Sequence, residues 1–348
     1  MLKFAGCSEG LSGFKQQNMR IAKIIGVTVL TLILVYWMGP KPTHPVYSKD
    51  LPAIPDNAVR LEEYIRNNEA RHKLKPDNNA KIIWNNDSLK DRTEYSVVYL
   101  HGFSASSKEG DPAHFAFAKK FGCNLYLSRL AEHGIDTTEP LVSYTADKVW
   151  NSAKEAYEIG TKIGKKVILM STSAGGTLAL KLAAEYPDIA GLILLSPCIE
   201  INDPNAWLLN NPWGLQVAHL VKGNYNEFPG LPEIENQYWN NKYRMEATVE
   251  LQELLETTMK SSTFEKVKEP ALLCYYYKDE IHQDSTVRVS AMKRMFRELG
   301  TPAAKKMEVP VPNAGAHVIG SYIKSKDYKT VEEACDKFAV DILHLKRS

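Results

Sequence analysis

No excess of charge of either sign marks this 348-residue chain, in which 43 Lys and Arg stand against 41 Asp and Glu, a formal net charge of +2. A nucleic-acid binder normally carries a clear basic excess or stripe, so that class is excluded. Cysteine is scarce. Its five positions (Cys7, Cys123, Cys198, Cys274 and Cys335) are scattered and make no Cys-x-x-Cys pair, so neither a disulfide scaffold nor a structural zinc site is expected. No His-Glu-x-x-His occurs, and no metal or other cofactor is expected. Internal repeats and low-complexity blocks are also missing. What remains is the composition of a packed protein, 44% hydrophobic and 24% charged, in a length that suits one large α/β domain or two small ones.

Residues 24–40 (IIGVTVLTLILVYWMGP) carry no charge over 17 positions. As a helix this run spans about 25 Å, near the lower limit for crossing a bilayer core. Upstream, Lys3, Lys15, Arg20 and Lys23 face only Glu9, a local charge of +3 that predicts an N-in, C-out orientation. Tyr36 and Trp37 fall where an interfacial aromatic belt would lie. The exit Tyr36-Trp37-Met38-Gly39-Pro40 offers no Ala-x-Ala site, so an uncleaved signal anchor is expected rather than a cleaved secretory peptide. The chain then divides into a basic cytoplasmic segment (1–23), a transmembrane anchor (24–40), a spacer (41–60) and a domain (61–348). Five prolines between residues 40 and 55 make the spacer extended and semi-rigid. The domain belongs on the non-cytoplasmic side: periplasm, cell exterior or a lumen.

From residue 81 onward, apolar β-branched runs alternate with helical patterns. Strands are predicted at 81–84, 95–100, 124–127, 166–170, 191–195, 271–277 and 306–309. Helices are predicted at 61–71, 114–121, 144–163, 176–186, 290–299 and 329–345. This rhythm implies an α/β fold, a mostly parallel sheet covered on both faces. Ligands bind such sheets at the carboxyl ends of the strands.

The unusual residues sit in those loops. Strand 95–100 runs into His101-Gly102-Phe103-Ser104, a turn able to present backbone N–H groups. Strand 166–170 runs into Ser171-Thr172-Ser173-Ala174-Gly175-Gly176 and then a helix. A nucleophile elbow needs a serine on such a turn, flanked two positions away by small residues; here Ser171 replaces the usual first glycine. The helix start behind Ser173 aims N–H dipoles at a developing oxyanion. After strand 271–277, Asp279, Glu280, His282 and Asp284 lie close together, and Asp279 and Asp284 both qualify as a triad acid. His317 sits in a Gly/Ala-rich loop before the last helix.

In their order Ser, Asp, His, and with the strand-His-Gly loop upstream, these residues resemble the α/β-hydrolase family over roughly residues 80–345. Within it the chain looks like the serine esterase, lysophospholipase and monoacylglycerol lipase branch. The resemblance implies Ser173 as nucleophile, His317 as base, and the N–H groups of Phe103 and Ala174 as the oxyanion hole. It favours Asp284 as acid, since Asp284-Ser-Thr-Val287 matches the family's Asp-x-x-Val, with Asp279 the alternative. His282 reads as a loop residue.

Residues 199–268 break the rhythm where the family carries an inserted helical cap, with an amphipathic helix expected at 245–260. This stretch holds Trp207, Trp213 and Trp239 together with Tyr225, Phe228, Tyr238 and Tyr243. Some would form the cap's own core, and the others an acyl-binding pocket. Cys198, at the junction, reads as a buried thiol. The expected function is a membrane-anchored serine hydrolase of acyl or lipid-like carboxylic esters. The alternatives are a peptidase or amidase with the same triad, or a non-catalytic hydrolase-fold receptor or scaffold at the membrane. A small-molecule ester and the membrane are the expected partners, and nucleic acid is not.

Overall fold

The computed structural model describes residues 9–348. Lys3 and Cys7, part of the basic N-terminal segment, lie outside the described residues. Helix α1 (Glu9–Trp37) leads to α2 (Ala58–Glu69), β1 (Lys81–Ile83), β2 (Thr93–Leu100), α3 (Ala113–Lys120) and β3 (Asn124–Leu127). Next come α4 (Ala146–Ile163), β4 (Gly164–Thr172), α5 (Ala174–Glu185) and β5 (Ile189–Leu195). The insertion then contributes α6 (Gly214–Lys222), β6 (Tyr225–Glu227), α7 (Glu233–Tyr238), β7 (Lys242–Arg244) and α8 (Met245–Thr258). Helix α9 (Ser261–Phe264), β8 (Ala271–Tyr275), α10 (Val289–Glu298), β9 (Lys306–Pro310) and α11 (Tyr328–Asp341) complete the chain.

The main sheet has the order β1-β3-β2-β4-β5-β8-β9 and is parallel except where β1 runs antiparallel to β3. Successive side chains of a strand point to opposite faces, and in β4 both faces are apolar. Val167 and Leu169 pack with residues of α2, α4, α5, α8 and α10, whereas Ile168 and Met170 pack with residues of α3 and α11. That double burial explains why β4 reads as a continuous hydrophobic run.

Several predicted ends shift by a few residues. Strand β8 stops at Tyr275, opposite Pro310, whose missing N–H cannot extend the ladder. Helix α4 starts at Ala146 because the Thr145 hydroxyl accepts the Lys148 N–H. The cap is not wholly helical, for β6 and β7 pair antiparallel within it.

Two features of the N-terminal region differ from the expectation. Helix α1 extends well upstream of residue 24, and its stretch Gln16–Trp37, mean hydropathy 1.9, is long and apolar enough to cross a membrane. At 1.5 Å per residue its 22 residues span about 33 Å, a full hydrocarbon thickness. The proline-rich segment, although extended, does not stand free as a spacer. It is a strap along α4: the Val46 and Tyr47 N–H groups donate to the Asp147 carboxylate, Trp150 Nε1 donates to the Ser48 carbonyl at 2.8 Å, and Lys154 Nζ donates to the Asp50 carbonyl at 2.6 Å. Lys181 Nζ lies 4.5 Å over the rings of both Tyr47 and Trp150.

Trp150 is fully buried at the centre of this contact. Trp150→Ala should destabilise the domain by about 3–5 kcal/mol, as for other large core truncations. A denaturant midpoint measures that loss, and faster proteolysis near Ser48 should accompany it.

Candidate active site

Ser173 follows the last residue of β4 and precedes the first of α5, with φ 54° and ψ −122°. A non-glycine residue at such angles is strained, and its neighbours hold it there. The Ser173 N–H donates to the Leu195 carbonyl at 3.1 Å, and its own carbonyl accepts from Gly176 and Cys198 at 2.8 and 2.9 Å. The glycines after it are a steric requirement. A Cβ at Gly175 would lie 2.0 Å from the Leu100 carbonyl oxygen, and one at Gly176 would lie 2.6 Å from Pro197 Cβ. Ser171, two positions before, is small enough to be fully buried, and its hydroxyl donates to the Ile193 carbonyl.

Of the two candidate acids, Asp284 alone faces His317. It is buried, and its Oδ2 lies 2.6 Å from His317 Nδ1. Its Oδ1 accepts the Thr286 and Val287 N–H groups at 2.8 and 3.1 Å, which fixes the carboxylate's direction. Asp279 turns back on its own loop instead. It accepts the Ile281 and His282 N–H groups and pairs with the exposed His282 ring, which holds its carboxyl below the usual range.

His317 is mostly shielded from solvent, and that shielding disfavours its cation. The charge and hydrogen bond of Asp284 outweigh that, with a smaller contribution from Glu109, and hold the imidazole above its ordinary pKa. Because Nδ1 is committed to Asp284, Nε2 is the free ring nitrogen; it is buried with no partner among the described residues.

The turn after β2 forms the opposite wall. Gly102 donates its N–H to Glu109 Oε2 at 2.5 Å, and Ser104 donates its N–H to His133 Nε2 at 3.1 Å. Among the described residues, the N–H groups of Phe103 and Ala174 have no acceptor. His101 and His133 brace this turn as neutral rings. Each accepts a backbone N–H on Nε2 and donates from Nδ1 to a backbone carbonyl. Burial pushes His133 down to about 4 and His101 well below its ordinary value.

Ser173 and His317 line a cavity of about 710 Å³ beneath the cap, together with Phe103 and Glu109. Of the cap aromatics, Trp239, Tyr243 and Phe228 line it; Trp207 and Trp213 do not. The expectation that either of those two forms the acyl wall is corrected: both are exposed and lie off the cavity lining. Cys198 also touches the cavity, but burial pushes its thiol up to about 12. Glu109, buried and pushed up to about 7 by that burial, gave no signal in the sequence beyond its proximity to Gly102. Among the described residues no group of three or more His, Cys, Asp or Glu is arranged to hold a metal.

Residues 93–299 match the family Hydrolase_4, described as serine aminopeptidase, S33. The chain belongs to this family. The match takes in the Ser173 elbow and Asp284 and stops short of His317. A thermostable monoacylglycerol lipase from Bacillus sp. (strain H-257) is 30% identical over 106 residues, 30% of this chain and 41% of that protein. The chain thus matches less than half of that relative's length. Among solved structures, the metagenome-derived lipolytic enzymes LipS and LipT superpose with a TM-score of 0.62 at 18% identity, covering 76% of this chain and 98% of that one. A monoacylglycerol lipase from Paleococcus ferrophilus gives 0.55 at 15% identity, covering 75% and 98%. At such identities these structures establish the fold alone, and it is the α/β-hydrolase fold of the S33 family member's relatives.

Two substitutions test the electrostatics of this site. Asp284→Asn should lower the His317 pKa strongly, and Glu109→Gln, which keeps an acceptor for Gly102 but loses the charge, should lower it less. Ring-proton NMR titration of His317 measures both, with Asp279→Asn as the unshifted control.

Proposed function

We propose that this S33 family member is a membrane-anchored serine hydrolase that cleaves acyl or lipid-like carboxylic esters through an acyl-enzyme. The observation that carries the reading is His317, tied to buried Asp284 through Nδ1, with a free Nε2 in the cavity that Ser173 also lines. Ser173 Oγ attacks the ester carbonyl carbon while His317 Nε2 takes its proton. Asp284 holds the tautomer and stabilises the imidazolium. The uncommitted N–H groups of Phe103 and Ala174 receive the oxyanion, and donors fixed in place by the fold stabilise it more than mobile water does. His317 then protonates the leaving alcohol, and water repeats the sequence on the acyl-enzyme.

The apolar cap wall supports an acyl group as the bound moiety, and the lipolytic names of the matched proteins point the same way. The family's aminopeptidase description supports amide cleavage as a second reading. Helix α1 would serve as an uncleaved anchor, with Arg20 and Lys23 near the cytoplasmic end of the span, their long side chains reaching that interface, and the domain beyond the other face.

Ser173→Ala should abolish both ester turnover and fluorophosphonate labelling while leaving the fold intact; labelling that persists would transfer the nucleophile elsewhere. Absence of labelling in the wild-type protein would instead favour a non-catalytic scaffold. Asp284→Asn should slow the chemical step by roughly 10⁴-fold, and Asp279→Asn should have little effect. The protein should resist alkaline carbonate extraction, and a protease on the non-cytoplasmic side should reach the domain.

A further inference from the structure

One face of the cap is apolar and open. Trp213 stands at the N-cap of α6, and Val217, Leu220 and Val221 follow along it. At 3.6 residues per turn these four fall within an arc of about 100°. Leu220 is 88% exposed and Val221 73%, with Val217 and Trp213 also exposed. Trp207 (55%) and Phe228 (52%) are exposed in the same cap. Two polar residues of α6 turn toward other partners: His219 approaches Glu246, and Lys222 approaches Asp203, while Gln216 is exposed beside the apolar face. An apolar surface of this kind marks a site of association rather than a face meant for water.

What adjoins this face identifies its occupant. Trp213 Nε1 donates to the Val35 carbonyl at 3.0 Å, and its backbone N–H donates to the Pro40 carbonyl at 3.0 Å. Gly39 lies so close under the indole that a Cβ there would be 2.3 Å from the ring. The last turn of α1 is thus latched to the head of α6. With Gln16–Trp37 in a bilayer, Val35 and Trp37 reach its surface, and α6 starts at that level. The face also merges with the cavity: Val217, Val221, Leu208 and Phe228 are all exposed and all line it.

We infer that the α6 face of the cap is a second membrane contact, seated in the leaflet where α1 ends, so that the cavity opens toward the bilayer and receives lipid-dissolved substrate there. The inference rests on the anchor and ester-hydrolase readings above. Lipid is the occupant that the latch supports, since a bilayer holding α1 up to Trp37 meets the head of α6 at the same level.

The test uses the full-length protein in phosphatidylcholine vesicles, with Leu220→Glu and Trp207→Glu as variants, neither residue lining the cavity. Carbonate retention reports α1, and hydrolysis of water-soluble p-nitrophenyl butyrate reports the Ser173 site. Both should be unchanged in the variants. Hydrolysis of a long-chain ester dissolved in the same vesicles should fall about tenfold or more. Brominated phosphatidylcholine should quench tryptophan fluorescence in the wild type, and Trp207→Phe should remove part of that quenching. Unchanged vesicle-ester rates together with unaltered quenching would overturn the inference. So would cross-linking that shows the α6 face covered by a second copy. Loss of carbonate retention in the wild type would overturn the anchor and this contact together. Absence of all ester turnover would overturn only the hydrolase reading, since quenching still reports the contact.

Discussion

A backbone strain at one residue organises this site. Ser173 sits at φ 54°, where a side chain costs of order 1–3 kcal/mol, and the surrounding sheet over-determines it. Its N–H is held by the end of β5 and its carbonyl by the loop beyond β5 and by α5. The sharp turn lets α5 begin at the next residue, which leaves the Ala174 N–H free at the helix start. It also requires Gly175, because α5 passes against the carbonyl of Leu100 at the end of β2. The elbow and the turn that carries Phe103 are therefore packed on one another, and neither can move alone.

Three histidines surround this point, two of them fully buried, and their partners separate their behaviour. His101 and His133 give their Nδ1 protons to backbone carbonyls, and burial favours their neutral forms. His317 gives its proton to a carboxylate and is raised. The same side chain thus becomes a brace in two places and a titrating base in the third. Glu109 joins the two sets, since its carboxylate accepts the Gly102 N–H while its charge reaches His317.

Much of this arrangement was legible in the sequence because it is local. Strand β4 followed by Ser173 and two glycines carries its own steric logic, and every expected strand of the main sheet is present within a few residues. The residues alone leave Asp279 and Asp284 both open, because both follow β8 closely, and only the family resemblance favours Asp284. In the fold the two differ in what they bond: Asp279 its own turn, and Asp284 His317, 33 residues away. Glu109 was invisible for a related reason: its burial comes from the site around it, not from its neighbours in the chain. The cap tryptophans looked equivalent. Their fates diverge only through tertiary contacts, with Trp239 on the cavity wall, Trp213 on the end of α1 and Trp207 outside.

The proline-rich segment shows how one composition serves two mechanical ends. Prolines keep it extended, and an extended chain leaves its backbone groups to be satisfied by whatever it lies on. Here Asp147, Trp150 and Lys154 of α4 supply those partners at one-turn spacings, and Ile54 is buried at its far end. Standing free, the 16 residues 40–55 would let the domain wander about 50 Å from the anchor. Docked along α4 and latched at Trp213, the same residues instead allow almost none of that reach. The orientation of the cap relative to α1 is then set by packing, through Trp213 on the end of α1 and through the strap bonded to Trp150 and Lys154 of α4.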